Sequence, residues 1–254
     1  KRKNMVLTAW GSDIFILPKR NIIWKKIIQF SVNRFSFLTA DSQHLADEMQ
    51  KLRQSNDSKI TGVNFGIDLL QVRCNKEPIF YSNRLQKPLY RIDKIIAGFH
   101  KFITNNEVQR GKLVIGATGD QTENLKQQVI ALGLADRVEF IGWVNAEVNR
   151  AWYARSTYWL SVPTSDATSI SLLEAMAYGC VPILSDLPSN KEWVESGENG
   201  LIISDLELAG NFLPKINSVD VKKAIAINKE IIEQRGTKEA NRQKFFDIYD
   251  QISR

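Results

Sequence analysis

The stretch SVPTSDATSISLLEAMAYGCVPILSDLPSNKEWVESGENGL, residues 161–201, decides the fold. Residues 158–162 read as a buried strand, followed by a polar loop and a helix that opens at Thr168 and Ser169. Leu172, Leu173, Ala175, Met176 and Ala177 give that helix a packed face. Gly179 closes it, where a left-handed or sterically tight cap suits glycine. Residues 181–184 form an apolar run of the kind found in parallel strands covered on both faces. The unit is thus strand, loop, helix, strand, with polar residues gathered where the first strand ends. In open α/β sheets ligands bind at that end of the strands, and a helix N-terminus offers free N–H groups and a positive dipole end to phosphate. Two carboxylates frame the corner: Asp166 before the helix and Glu174 two turns in, with seven residues between them.

Composition narrows the class. A chain of 254 residues with 43% hydrophobic content makes one large or two modest α/β domains. Neither a signal peptide nor a long apolar run is evident, so a soluble, cytoplasmic location is expected. Cys74 and Cys180 have no paired spacing for a metal or a disulfide framework, and read as reduced packing residues. With only His44 and His100 available, a histidine-rich metal site is not expected. A net charge of +6 favours an anionic partner. The absence of zinc-finger spacing, an RNP-like aromatic motif and an Arg-rich arm argues against nucleic acid.

The ordered run from Asp166 through EAMAYGCVPILSD (174–186) to NKEWVESGENGLI (190–202) resembles the E-x7-E region of retaining GT-B glycosyltransferases of family four. Asp166 stands where that family usually has Glu, and Thr168 and Ser169 stand where it commonly has Phe-Gly. The likeness extends more thinly over nearly all the chain. It implies an α/β fold of GT-B type: a Rossmann-like C-terminal donor-binding domain with a parallel sheet, plus the last part of an N-terminal Rossmann-like domain. The expected divisions are residues 1–70 for the N-terminal, acceptor-side portion, 71–236 for the nucleotide-sugar domain, and 237–254 for a helix packing back on the first domain through Phe245, Phe246 and Tyr249. More strands and helices would precede residue 5, so the sequence is expected to start partway through its N-terminal domain.

Working outward, residues 5–9 read as a strand leading to Trp10-Gly11-Ser12-Asp13. The family has His before Gly-Ser-Asp, facing the donor sugar; here Trp10 takes the slot and either stacks on a sugar or packs. Residues 19–35 form a basic amphipathic helix candidate, with Ile22, Ile23, Ile27, Phe30 and Phe35 among Lys25, Lys26 and Arg34. Such a helix either rests on an anionic membrane or is a domain helix with a solvated charged face. Residues 37–40 form a strand, and Asp41 and Ser42 open a helix to about residue 54, in which His44 reads as structural. Residues 59–68 resemble the strand and Asn-Gly-[Ile/Val]-Asp turn that closes the N-terminal domain, with Gly66 allowing the turn. A linker over residues 69–76 follows.

Strands are then expected at 79–82, 112–115 and 138–141, with helices at 92–102, 122–134 and 145–155. Asn83-Arg84-Leu85 resembles the family's Gly-Arg-Leu segment, whose Arg and a nearby Lys clamp the donor diphosphate; a one-residue insertion in QKPLYRID leaves Lys87 or Arg91 as the second cation, with Lys87 preferred. Gly116-Ala117-Thr118-Gly119-Asp120 and Gly142-Trp143 resemble the strand-end turns near the nucleotide. Helices over 206–216 and 219–235 and a last helix from Thr237 complete the reading.

The resemblance implies a retaining, metal-independent transferase without a cofactor, moving a sugar from a nucleotide-diphosphate donor to a glycan or lipid-linked acceptor. Asp166, Arg84 and Lys87 would carry catalysis. Glu174 would accept the ribose hydroxyls, with Thr168, Ser169, Ile170, Gly142, Gly116, Trp10 and Gly11 completing the donor site. Peripheral contact with an anionic membrane at its inner face is expected, and nucleic-acid binding is not. A non-catalytic nucleotide- or partner-binding GT-B module is the alternative.

Overall fold

The computed structural model describes residues 2–54, 60–69, 74–105, 111–210 and 212–253. In chain order its elements are β1 (Arg2–Ala9), α1 (Ser12–Phe15), α2 (Leu17–Arg20), α3 (Ile22–Arg34), β2 (Phe35–Ala40), α4 (Gln43–Leu52) and β3 (Ile60–Gly62). They continue with β4 (Glu77–Ser82), α5 (Ile92–Asn105), β5 (Lys112–Gly116), α6 (Thr122–Ala131), β6 (Val138–Gly142), α7 (Ala146–Arg155), β7 (Ser156–Ser161), α8 (Ile170–Ala177) and β8 (Val181–Ser185). The last are α9 (Pro188–Lys191), β9 (Leu201–Ile203), α10 (Asp205–Ala209), α11 (Val221–Ile231) and α12 (Lys238–Ser253).

The chain divides into two compact units. The first gathers Lys1–Asp68, Ser165–Ile170 and Glu233–Arg254; the second gathers Leu69–Thr164 and Ser171–Ile232. The division expected at residues 70–71 lies outside the described residues, as do Lys59 and part of the expected linker.

The first unit holds a parallel sheet in the order β1-β2-β3. Its core is built from Val32 of α3, Leu38 and Ala40 of β2, and Leu45, Ala46 and Met49 of α4. Ser42 caps α4 by accepting from the Leu45 amide, which supplies the free N–H of a first helical turn with an acceptor. The single helix expected over 19–35 is instead broken at Asn21. That residue is extended (φ −167°) and its side chain caps α3 by accepting from the Trp24 amide. A competing cap thus outweighs continuous amphipathicity, and β2 begins at Phe35 rather than at residue 37. At the other end of the unit, Gly66 adopts φ +68°. A Cβ there would lie 2.2 Å from the Thr237 carbonyl carbon, where Ile67 bridges to Thr237. Only glycine fits this close, left-handed approach.

The second unit is a six-stranded parallel sheet in the order β6-β5-β4-β7-β8-β9. The order reverses between β4 and β7, the switch point at which open α/β sheets bind ligands. Phe80, Leu113, Ile115, Leu160, Val162, Val181 and Ile183 from the strands pack with Ile92, Ile95, Ile96 and Phe99 of α5, so the sheet is buried as the apolar runs require. The helix expected over 206–216 appears as α10 and a separate 3-10 segment, Leu213–Ser218. Gly210 and Pro214 lie between or just inside these pieces, and both disfavour a continuous helix. The helix expected over 219–235 ends its α-helical part at Ile231 and finishes in a π turn, Ile232–Gly236. Helix 122–134 likewise stops at Ala131, with Gly133 at φ +68° beyond it.

Among the described residues, no helix is long and apolar enough to cross a membrane.

Candidate functional site

At the switch point the carboxyl end of β4 leads into Asn83 and Arg84. Tyr81, on β4, donates its hydroxyl to Asn149 Oδ1 at 2.7 Å, and Asn83 Nδ2 reaches the same oxygen at 3.2 Å and the Tyr153 hydroxyl at 2.8 Å. Trp159 of β7 donates its indole N–H to Asn83 Oδ1 at 2.9 Å. Tyr81, Tyr153 and Trp159 are fully buried. Burial holds both tyrosine hydroxyls well above their usual pKa, so they remain protonated donors. The charge of the Glu174 carboxylate, on α8, pushes both hydroxyls the same way. Glu174 is half-buried. Burial raises its pKa, while the Tyr153 hydroxyl and the positive charge of Arg150 act the other way.

The loop after Asn83 is built on Gln86, whose amide donates to the Ala117 carbonyl at 2.8 Å and to that of Gly116 at 3.3 Å. The backbone of Gln86 accepts from the Gln121 amide at 3.0 Å. Gly119 lies so close that a Cβ would meet the Gln86 carbonyl oxygen at 2.2 Å, and a Cβ on Gly116 would meet the Tyr81 hydroxyl at 3.2 Å. Ala117 is held at φ +58°, a conformation uncommon for residues other than glycine. Two strand-end turns, after β4 and after β5, are therefore locked together. Arg84 lays its guanidinium over the Tyr90 ring at 4.5 Å. Gly142 (φ +66°) ends β6 in open space, and Trp143 beside it is 73% exposed.

The two candidates for a second cation differ. Arg91 has φ +52° and donates from Nε to the Val162 carbonyl at 2.5 Å and from Nη2 to that of Pro163 at 3.0 Å, while Nη1 pairs with Asp205 at 2.5 Å. It ties the end of β7 to α10. Lys87 is exposed and lines a crevice of about 260 Å³ with Pro88, Arg91, Ile92, Asp93, Gln121 and Leu125.

The remaining candidates belong to the first unit. Asp166 accepts from the Ala167 amide at 3.1 Å, and the Thr168 amide points to Asp41 Oδ1 at 3.5 Å. With these residues drawn into loop hydrogen bonds, α8 starts at Ile170 rather than at Thr168 and Ser169, both of which are buried; Ile170 itself is exposed. Gly11 adopts φ +122°, and a Cβ there would lie 3.2 Å from the Ala167 Cβ. The carboxylate of Asp13 accepts from the Trp10 and Gly11 amides. Trp10 stacks on Phe65 with centroids 5.0 Å apart, and Phe65 stacks in turn on Phe245, yet Trp10 is 60% exposed. Packing and an open ring face coexist there.

Residues 71–219 match the family model described as "Glycosyl transferases group 1". The chain belongs to this family. Among curated relatives, it is 26% identical over 206 residues to the O-antigen chain mannosyltransferase RfbU of Salmonella typhimurium, which covers 77% of the chain and 56% of that protein. It is 32% identical over 82 residues to the lipopolysaccharide core biosynthesis mannosyltransferase LpcC of Rhizobium leguminosarum bv. viciae, covering 32% of the chain and 23% of that protein. The chain thus spans about half or less of the length of these relatives. Among solved structures, the pneumococcal O-GlcNAc transferase GtfA, in complex with UDP and GlcNAc, superposes with a TM-score of 0.81 at 15% identity, covering 98% of this chain and 52% of that one. Anabaena Alr3699/HepE, in complex with UDP and glucose, gives 0.81 at 17% identity, covering 96% and 71%. The group 1 glycosyl transferase chain therefore has the GT-B type of α/β fold.

Sequence reasoning singled out Glu174 and Arg84 but not the polar side chains that meet around Asn83. Asn83 follows β4, Asn149 and Tyr153 lie on α7 and Trp159 on β7, and no local pattern unites them. The asparagine preceding Arg84, where the family pattern has glycine, was the visible signal. Among the described residues, no group of three or more His, Cys, Asp or Glu side chains could hold a metal ion.

Proposed function

We propose that this chain carries the donor site of a retaining glycosyltransferase, which moves a sugar from a nucleotide diphosphate to a glycan or lipid-linked acceptor without a metal or cofactor. The observation that carries the proposal is the half-buried Glu174 carboxylate on α8, the helix that follows β7 at the β4/β7 switch point. A carboxylate in that place suits two adjacent hydroxyl donors, as in a ribose. The mannosyltransferase relatives and the UDP held by GtfA and HepE support a nucleotide-diphosphate sugar as donor.

In the reaction, the bond between the sugar's anomeric carbon and the diphosphate oxygen breaks, and the acceptor oxygen bonds to that carbon from the same face. The acceptor proton passes to the departing phosphate. Arg84 and Lys87 offset the charge that develops on the diphosphate, together with backbone N–H groups around Thr168, Ser169 and Ile170. Asp166 takes the donor sugar hydroxyls, while Gly116, Gly142, Gly11 and Trp10 border the donor.

Peripheral contact with an anionic membrane at the inner, cytoplasmic face is part of the same proposal. Ile22, Ile23, Ile27 and Phe30 of α3 are all exposed. Residues 14–40 contain Lys19, Arg20, Lys25, Lys26 and Arg34 but no Asp or Glu. That combination suits an interfacial helix, and a lipid-linked acceptor would be met there.

Calorimetry with UDP, GDP and ADP tests the donor site. Saturable binding of one of them, followed by transfer from the matching nucleotide sugar, is the expected outcome. Binding without any transfer or donor hydrolysis would favour the non-catalytic module instead.

A further inference from the structure

We infer that Tyr90 is a positioning residue for Arg84: the face of its ring holds the guanidinium where a donor diphosphate meets the N–H fork. This rests on the reading of Arg84 as a phosphate-binding residue.

The local chain builds a fixed shelf for the contact. Pro88–Tyr90 is a single 3-10 turn, closed by the Tyr90 amide donating to the Lys87 carbonyl at 3.0 Å. Within it the Leu89 carbonyl accepts from the Thr164 amide at 3.0 Å, which joins the turn to the loop after β7. Arg91 follows at φ +52°, a region that residues other than glycine seldom occupy. Its side chain holds it there, with Nε on the Val162 carbonyl, Nη2 on that of Pro163 and Nη1 on Asp205. Tyr90, between these two anchored residues, is half-buried and packs against the core of the second unit. The ring is thus set by its own neighbours, and the Arg84 Cζ lies over it, 4.5 Å from the centroid.

The two arginines of this segment are held in opposite ways. Arg91 directs its guanidinium edge to protein oxygens and so ties elements together. Arg84 meets Tyr90 through its flat face, a contact that takes up none of its N–H donors. Fixing that face fixes the plane of the fork, and a planar fork matches two phosphate oxygens at once. The ring also attracts the cation without cancelling its charge, as a carboxylate would. Because Arg84 is half-buried, the attraction is stronger than at an open surface.

Calorimetry with the nucleoside diphosphate that binds the wild type tests the inference. Tyr90→Leu should bind it about fivefold more weakly, whereas Tyr90→Phe, which keeps the ring, should bind as the wild type does. Tyr90→Leu placed in an Arg84→Ala background should add no further loss, because Tyr90 acts through Arg84. A Tyr90→Phe series carrying successive ring fluorines keeps the shape of the side chain while drawing electron density from its face. Affinity should fall with each fluorine.

Wild-type affinity in Tyr90→Leu, at a retained thermal midpoint, overturns the inference. So does a loss that persists undiminished in the Arg84→Ala background, since the ring would then have a ligand contact of its own. If Tyr90→Leu fails to fold, the fluorine series decides alone, and an affinity independent of fluorine number overturns the inference. Arg84→Ala separates these outcomes from failure of the underlying reading. Unchanged affinity in that variant removes Arg84 from phosphate binding, whereas weakened affinity beside an unaffected Tyr90→Leu removes only the positioning role.

Discussion

The corner at the end of the six-stranded sheet and the outer face of α3 treat their side chains in opposite ways. In the first, Tyr81, Asn83, Asn149, Tyr153 and Trp159 satisfy one another across β4, the loop after it, α7 and β7. In the second, Ile22, Ile23, Ile27 and Phe30 stand in solvent among lysines and arginines. A buried polar network is stable only when every member has a partner, and such a network fixes the directions of its donors and acceptors before any ligand arrives. Exposed apolar side chains contribute nothing to folding where they stand. Their value lies in what they can cover, which fits a surface for association. One region is built for geometry and the other for contact.

The contrast can be broken first at its scaffolding. Gly66→Ala should have the largest effect, at least about 3 kcal/mol in chemical denaturation, because left-handed strain adds to a Cβ 2.2 Å from the Thr237 carbonyl carbon. A variant as stable as wild type would show that this turn does not hold the first unit together.

Lys76 is the matching test in the second unit. Its Nζ donates to the carbonyls of Tyr153, Ser156 and Tyr178 at 2.7–2.9 Å, at the C-terminal ends of α7 and α8. Lys76→Met leaves those carbonyls without that donor and should lower stability by about 2–3 kcal/mol, with the loss readable in a urea titration.

Glu207 gives a smaller effect with a pH signature. Lys215, then the Ser204 backbone and side chain, hold its carboxyl down to about 2. A carboxyl lowered by folding stabilises the native state above its unfolded pKa, and the gain is lost as pH falls toward the folded value. Glu207→Gln also disrupts the capping box with Ser204. It should cost about 1 kcal/mol at neutral pH and flatten the decline in thermal midpoint between about pH 4.5 and pH 2.

Smallest of all for stability, Ile27→Ser with Phe30→Ser should shift it by less than about 0.5 kcal/mol while reducing co-sedimentation with vesicles containing phosphatidylglycerol. Equal sedimentation of wild type with purely zwitterionic vesicles, or none with either kind, would contradict the membrane reading of α3.

How much of this was legible in the sequence follows the same division. The unit from β7 to β8 was readable because its signals are local: an apolar strand, Glu174 on a helix with a packed face, Gly179 at the end. Boundaries failed where a local cap or breaker competes with periodicity, as at Asn21, Gly210 and the Asp41–Thr168 contact that delays α8 to Ile170. The buried polar network was not readable, because Asn83 and Tyr153 are 70 positions apart and meet only through strand order. Between Lys87 and Arg91 the letters gave only a preference for Lys87; the left-handed backbone of Arg91 and its ties to Val162, Pro163 and Asp205 show how differently the two are held.

The most direct test of the central claim is calorimetric titration of the chain and of Glu174→Ala with UDP, GDP and ADP. The account predicts saturable binding of one nucleotide to the wild type, weakened by about tenfold or more in the variant at an unchanged thermal midpoint. No saturable binding by the folded wild type, or equal affinity in the two proteins, would contradict it.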